Sequence, residues 1–204
     1  MISWIVASHR QDVLQENLLD TLDLGDDELI VVEGAPSITA AYAEGQAKAS
    51  HPVRCYIHHD VQVCDTAKLR TQLVEACARA GMVGVIGSRD PVMPWWDGDK
   101  LGSVVDLRAG VLHFGAGGDC SILDGLLLAT SQTVDWDLEA PGFHGYDHDS
   151  CRQMLARGFT NFCLTNGHQL VRHNTAGSFS IDQLPGWAEA VNHYQTKWGR
   201  HGLG

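Results

Sequence analysis

The chain has 204 residues, 44% of them apolar or aromatic, enough for a single domain with a sizeable core and too many for a globally disordered chain. Fourteen lysines and arginines stand against 25 aspartates and glutamates. The resulting formal charge of −11 disfavours non-specific nucleic-acid binding and docking on anionic membranes.

No run of about 18 apolar residues occurs, so no transmembrane helix is expected. Residues 1–9 lack a basic leader segment and read as a first core strand, which implies a cytoplasmic protein. Residues 12–22 carry Val13, Leu14, Leu18, Leu19 and Leu22 at helical spacing. Residues 29–32 form a second buried strand. Residues 37–49 form an Ala-rich helix with Ser37 as N-cap, and residues 53–57 a third strand. A helix over residues 66–80 places Leu69, Leu73, Ala76, Cys77 and Ala80 on one face, and residues 82–86 form a fourth strand. This alternation predicts a parallel sheet covered by helices, with ligands held beyond the carboxyl ends of the strands. The residues that follow the strands are then informative: Ser8-His9-Arg10, Glu33-Gly34-Ala35, His58-His59-Asp60 and Gly87-Ser88-Arg89.

The second half reads differently. Residues 89–102 form a loop with two prolines and the pair Trp95-Trp96. Residues 104–107 and 111–114 form a hairpin around Arg108-Ala109-Gly110, followed by a flexible Gly-rich stretch at 115–118. Residues 122–129 form an apolar strand interrupted by Asp124-Gly125. Residues 147–157 form a helix ended by Gly158. Strands at 162–164 and 169–171 and a terminal helix at 184–198 complete the pattern. The six cysteines form no C-x-x-C pair and read as free, mostly buried thiols.

Three segments carry chemistry. In Tyr56-Ile57-His58-His59-Asp60-Val61 an apolar strand ends in three metal-capable side chains. Alternate residues share a face, so His58 and Asp60 converge on one ligand, and imidazole with carboxylate suits a transition metal or a Mn/Mg site. The plain alternative is a solvated loop. Residues 142–149 gather His144, Asp147, His148 and Asp149 before a helix. Asp147 there is either a general base or, like Asp149, a helix cap. His173 directly follows a strand and is either a further metal ligand or a structural histidine. Trp95 and Trp96 either stack on a sugar or base, or pack beneath their loop.

Taken in order, several stretches match one family. Residues 2–10 look like an opening nucleotide-binding strand. Glu33-Gly34-Ala35-Pro36-Ser37 with Ala41-Tyr42-Ala43-Glu44-Gly45 follows a "G-A-x-S…A-Y-N-E-G" pattern, with Ala43 in place of Asn. His58-His59-Asp60-Val61 takes the place of a D-x-D motif, and residues 81–87 follow "G-x-x-G-x-x-G". Asp124-Gly125, residues 143–149 ("F-H-x-Y-D-x-D"), residues 173–178 ("H-x-x-x-G-S") and Lys197-Trp198-Gly199 continue the series. In this order the chain resembles the GT-A fold glycosyltransferases, in particular the small family-two-like group named after a streptomycin-biosynthesis protein.

The resemblance implies an α/β, Rossmann-like fold: a mostly parallel sheet flanked by helices, with a mixed acceptor-side portion. Residues 1–204 would be one domain, with 1–100 the nucleotide-sugar-binding half and 101–204 the acceptor and catalytic half. It implies metal-dependent, inverting transfer from a nucleoside-diphosphate sugar, UDP-sugars being the commonest donors, to a hydroxyl acceptor. Asp60 and His173 would bind Mn²⁺ or Mg²⁺, and His58, in place of the first D-x-D acid, shifts preference towards softer ions or contacts the donor. Asp147 would be the catalytic base. Ser8, His9, Arg10, Glu33, His58 and His59 would meet the donor nucleotide, and Trp95, Trp96, Asp124, Gly125, His144 and Tyr146 the sugar or acceptor. Two other readings remain: a non-catalytic nucleotide- or sugar-binding domain, and a nucleotidyltransferase. The acceptor is a small molecule, a glycan or lipid-linked precursor, a protein, or a modified nucleic-acid base met by Lys197, Arg200 and His201. A partner protein or a homodimer would complete the acceptor side of so small a chain.

Overall fold

The computed structural model describes residues 1–174 and 186–199. It is a mixed α/β structure with two sheets and, among the described residues, five α-helices. The elements that place the site are β1 (Ile2–Ser8), β2 (Glu28–Glu33), α2 (Ile38–Lys48), β3 (Val53–Ile57), β4 (Val61–Val63), α3 (Thr66–Cys77), β5 (Val83–Gly84) and β6 (Ile86–Ser88). There follow β7 (Lys100–Asp106), β8 (Gly110–His113), β9 (Gly118–Cys120), β10 (Ile122–Leu123), β11 (Leu127–Thr130), α4 (Tyr146–Ala156), β12 (Asn161–Cys163), β13 (Val171–His173) and α5 (Trp187–Trp198).

The expected mostly parallel sheet is not what forms. The larger sheet runs β2-β1-β3-β11-β5-β12-β9 and is mixed. β1 pairs in parallel with β2 and β3, and β12 with β5. β11 enters antiparallel between β3 and β5. The fully buried run of β11 satisfies any sheet interior, and its direction is set by partners far away in sequence. The second sheet runs β10-β6-β7-β13-β4, with β8 hairpinned onto β7.

The expected strand at 82–86 divides between the two sheets. Gly84 packs against the Leu127 carbonyl in the larger sheet. The Val85 carbonyl then accepts the Ser103 N–H at 2.9 Å, and β6 joins β7. Likewise the interrupted strand at 122–129 becomes β10 in one sheet and β11 in the other, broken at Asp124-Gly125 as expected.

Other expectations shift locally. Residues 12–22 are α-helical only over α1 (Gln11–Leu14) and continue as a π-helix over Gln15–Leu19, where the Asp20 N–H reaches back to the Gln15 carbonyl. β2 lies at a sheet edge and is mostly half-buried rather than buried. The Gly-rich stretch includes β9, and Gly117 lies so close to the Cys163 carbonyl that a Cβ would come within 2.2 Å. Residues 167–169 are a 3-10 turn, and the strand begins at Val171. Ser37 caps α2 by accepting the Ala40 N–H at 3.1 Å, as expected. The cysteines are free thiols, and only Cys64 is exposed. Residues 175–178 of the late His/Ser segment, 184–185 of the terminal helix, and Arg200 and His201 lie outside the described residues.

Alternation along the central strands builds two cores, one on each face. Trp4 and Val6 of β1 and Cys55 and Ile57 of β3 join Leu69, Leu73 and Cys77 of α3. Ile5 and Tyr56 join Ile38 and Tyr42 of α2, Trp136, and Tyr146 and Met154 of α4. Among the described residues no helix is long and apolar enough to cross a membrane.

Candidate functional site

Strand pairing assembles the centre of the site. β3 delivers His58 at its carboxyl end, and the turn to β4 carries His59 and Asp60. β13 pairs antiparallel with β4 so that His173 sits opposite Val61, and the Asn174 N–H donates to the Asp60 carbonyl at 2.8 Å. His173 Nε2 therefore lies 3.4 Å from Asp60 Oδ1, and His58 Nδ1 lies 3.9 Å from the same oxygen. One ligand atom from each of His58, Asp60 and His173 falls within 4.8 Å of the others, a spacing that suits one metal ion.

Electrostatics follow from that packing. Burial opposes ionisation of Asp60, but the hydrogen bond from His173 and the nearby imidazoles outweigh it and hold the carboxyl at about 2. Burial pulls His173 down, and the Asp60 contact more than reverses this, so its pKa is raised. Burial lowers the pKa of His58, against the pull of Asp60.

Two cavities meet at this cluster, and His9, His58, Asp60 and Phe143 line both. The first, of about 230 Å³, lies beyond β1 and β2 against the start of α2. Ser8, His59, Gly34, Ser37 and Tyr42 are among its walls. The Ser8 hydroxyl lies 3.2 Å from His59 Nδ1, and the His9 and His59 rings are 5.0 Å apart. The second, of about 490 Å³, includes Trp95, Trp96, Asp124, His144, Asp147, His173 and Trp187 in its walls. Among the described residues, neither cavity is lined by a lysine or arginine.

Asp147 stands in the first turn of α4, whose N-cap is Gly145 at φ 76°. Its carboxylate accepts the His148 N–H at 2.8 Å and the Gly125 N–H at 3.2 Å, across to the break between β10 and β11. Burial, with the Asp124 carboxylate beside it, pushes Asp147 up to about 7. Asp149 does not cap α4 either; it accepts from Trp198 Nε1 at 2.7 Å and pairs with Lys197 at 2.9 Å.

Several expected residues thus come together: Ser8, His9, His58, His59 and Asp60 around the first cavity, and Trp95, Trp96, Asp124, Gly125, His144, Tyr146, Asp147 and His173 around the second. Trp95 donates to Asp124 at 2.8 Å, and Trp96 stacks on Trp187 at 5.5 Å. Tyr146 is 4% exposed, and its hydroxyl is shared between His58 Nε2 and the Gly125 carbonyl. Arg10 and Glu33 are exposed and line neither cavity; Arg10 pairs with Asp12, and Glu33 precedes the lining residue Gly34. Sequence reasoning missed Trp187, hidden in a terminal amphipathic helix. It also missed Asp106, whose Oδ2 lies 3.8 Å from His173 Nδ1. Asp106 ends an apolar strand as His58 and Asp60 do, and that pattern could have found it.

A family model described as a glycosyltransferase-like family matches residues 12–185. Among solved structures, the crystal structure of A197 from STIV is similar at 10% identity and a TM-score of 0.43, covering 88% of this chain and 97% of that one. The search of curated proteins finds no match.

Proposed function

Because the chain belongs to the glycosyltransferase-like family, we propose that it transfers a sugar from a nucleoside-diphosphate sugar to a hydroxyl acceptor, with a divalent metal and with inversion. The observation that carries this reading is the His58, Asp60 and His173 cluster at the junction of two cavities.

The donor set fits the metal. Two imidazole nitrogens and one carboxylate oxygen suit manganese or a softer transition ion better than magnesium, which prefers oxygen alone. Among the described residues the cavity walls offer the donor diphosphate no lysine or arginine, so a metal ion would supply the balancing positive charge. When bound, the metal supplies positive charge to the departing diphosphate.

The chain's own residues do the rest. Ser8, His9 and His59 hold the nucleoside side in the first cavity, with Arg10 and Glu33 beside it. Trp95, Trp96 and His144 wall the sugar and acceptor side, and Asp124 orients Trp95. Asp147 takes the acceptor hydroxyl proton. Its two backbone N–H bonds fix its direction, and a pKa near 7 balances proton affinity against ionisation at neutral pH. Asp147, held by two backbone N–H groups on the acceptor side, supports a single displacement with inversion. Residues 1–100 then supply most of the donor side and 101–204 most of the acceptor side of one domain.

The test is release of a nucleoside diphosphate from a panel of nucleotide sugars, UDP-sugars first, with Mn²⁺ and a mixed hydroxyl-acceptor library. Metal-dependent release, lost in Asp60→Ala and with the product anomer inverted, is expected. Release of pyrophosphate would move the protein to nucleotidyl transfer, and nucleotide binding without turnover would make it a binding domain.

A further inference from the structure

The metal-facing atoms of His58 and His173 are useful only if they carry lone pairs, and the second nitrogen of each ring decides that. On His58, Nε2 lies 2.5 Å from the Tyr146 hydroxyl, which itself lies 3.1 Å from the Gly125 carbonyl. Tyr146 has one hydroxyl hydrogen. Donated to Gly125, it leaves the phenol oxygen to accept a proton-bearing His58 Nε2, so the lone pair falls on Nδ1, the nitrogen 3.9 Å from Asp60.

On His173 the arrangement is reversed. Nε2 faces Asp60, and Nδ1 lies 3.8 Å from Asp106 Oδ2, on the strand next door, where His173 and Asp106 are register partners. That separation is a charge contact rather than a hydrogen bond. The other Asp106 oxygen is fixed by the Arg108 and Ala109 N–H groups at 2.9 and 2.7 Å, so the carboxylate is held behind the ring.

We propose that Tyr146 and Asp106 are positioning residues for the metal centre: each holds the ring nitrogen turned away from Asp60, Tyr146 by a hydrogen bond and Asp106 by a charge contact, and so aims His58 Nδ1 and His173 Nε2 at the site beside the carboxylate. The inference rests on the metal reading given above. It also gives the buried Tyr146 hydroxyl a task beneath the cavity rather than on a sugar.

Two measurements test it. The first is the histidine side-chain ¹H–¹⁵N spectrum of the metal-free protein above the histidine titration range, which reports the tautomer of each ring. His58 protonated on Nε2 in the wild type, with that preference lost in Tyr146→Phe, is expected. His58 protonated on Nδ1 in the wild type overturns the proposal, and this holds even if Tyr146→Phe fails to fold. The second is a Mn²⁺ titration followed by electron paramagnetic resonance on wild type, Asp60→Ala, Asp106→Asn and Tyr146→Phe. Asn at 106 keeps the oxygen that holds the turn. Affinity losses of about 10–100-fold in Asp106→Asn and Tyr146→Phe are expected. Wild-type affinity in both variants, with binding lost in Asp60→Ala, overturns the positioning role and leaves the metal reading standing. Failure of the wild type to bind Mn²⁺ removes the metal reading and this inference with it.

Discussion

His173 Nε2 stands 3.4 Å from Asp60 Oδ1, and the contact exists because β13 runs antiparallel beside β4. A single-residue slip of that ladder would turn His173 to the other face and dissolve the cluster. The proposed metal chemistry thus depends on the register of two three-residue strands.

Asp60→Ala should abolish stabilisation by Mn²⁺. A ligand at about 100 times its Kd stabilises the fold by about 2.7 kcal/mol, which a thermal-shift experiment resolves easily. The wild type should show a Mn²⁺-dependent rise in Tm, larger with the matching nucleoside diphosphate. The variant should show none. An equal rise in the variant would place the metal elsewhere.

Asp147→Asn should lower kcat by about 10²–10⁴-fold while donor binding persists. The wild-type rate should rise with pH through about 7 as Asp147 ionises, and Asp124→Asn should move that rise to lower pH by removing the neighbouring charge. The stability effect has the opposite sign. A carboxyl whose folded pKa is raised holds its proton more tightly folded than unfolded, so stability falls as pH climbs from the ordinary carboxylate range to about 7. Asp147→Asn should therefore have the higher Tm at pH above that window. A flat pH–rate profile in the wild type would argue against Asp147 as the base.

Gly125→Ala should disable the site without touching a proposed ligand. A Cβ there would come within 2.1 Å of the Tyr146 hydroxyl, and Tyr146 holds His58. Overpacking of this kind costs about 1–3 kcal/mol. Both a lower midpoint in urea and a weaker Mn²⁺ response are expected. A stable variant with unchanged Mn²⁺ affinity would show that His58 does not depend on Tyr146.

Asp149→Ala should loosen α5, which carries Trp187 into the second cavity. Asp149 is 2% exposed and accepts from Trp198 Nε1, while Lys197 bridges Asp149 and Asp137, and His193 also pairs with Asp137. Leaving the indole N–H unpaired costs about 1–3 kcal/mol, measurable by urea denaturation. For Asp137, burial is outweighed by His193 and Lys197, which hold the carboxyl at about 2. Its contribution is full above the ordinary carboxylate range and is lost as pH falls towards about 2. The Tm of Asp137→Asn should accordingly fall less on acidification than that of the wild type.

The sequence by itself determined the elements whose cause is local. Spacing of Leu69, Leu73 and Cys77 marks α3, Ser37 marks the start of α2, and Gly158, at φ 84°, the end of α4. It also marked the polar residues that end buried strands, because an apolar run stopping at His58 and Asp60 or beside Asp124 is visible without coordinates. Tertiary structure alone decided the direction of β11, the division of residues 82–86 between two sheets, and the strand register that brings His173, expected beside Asp60 only from the family resemblance, to 3.4 Å from it. A buried strand reads the same whether its neighbour runs parallel or antiparallel, so sequence leaves its partner open. The roles around Tyr146 and Asp106 were hidden for the same reason: a side chain's hydrogen-bond partner is fixed by which strand lies beside it, and that choice is made by the packing of the whole chain.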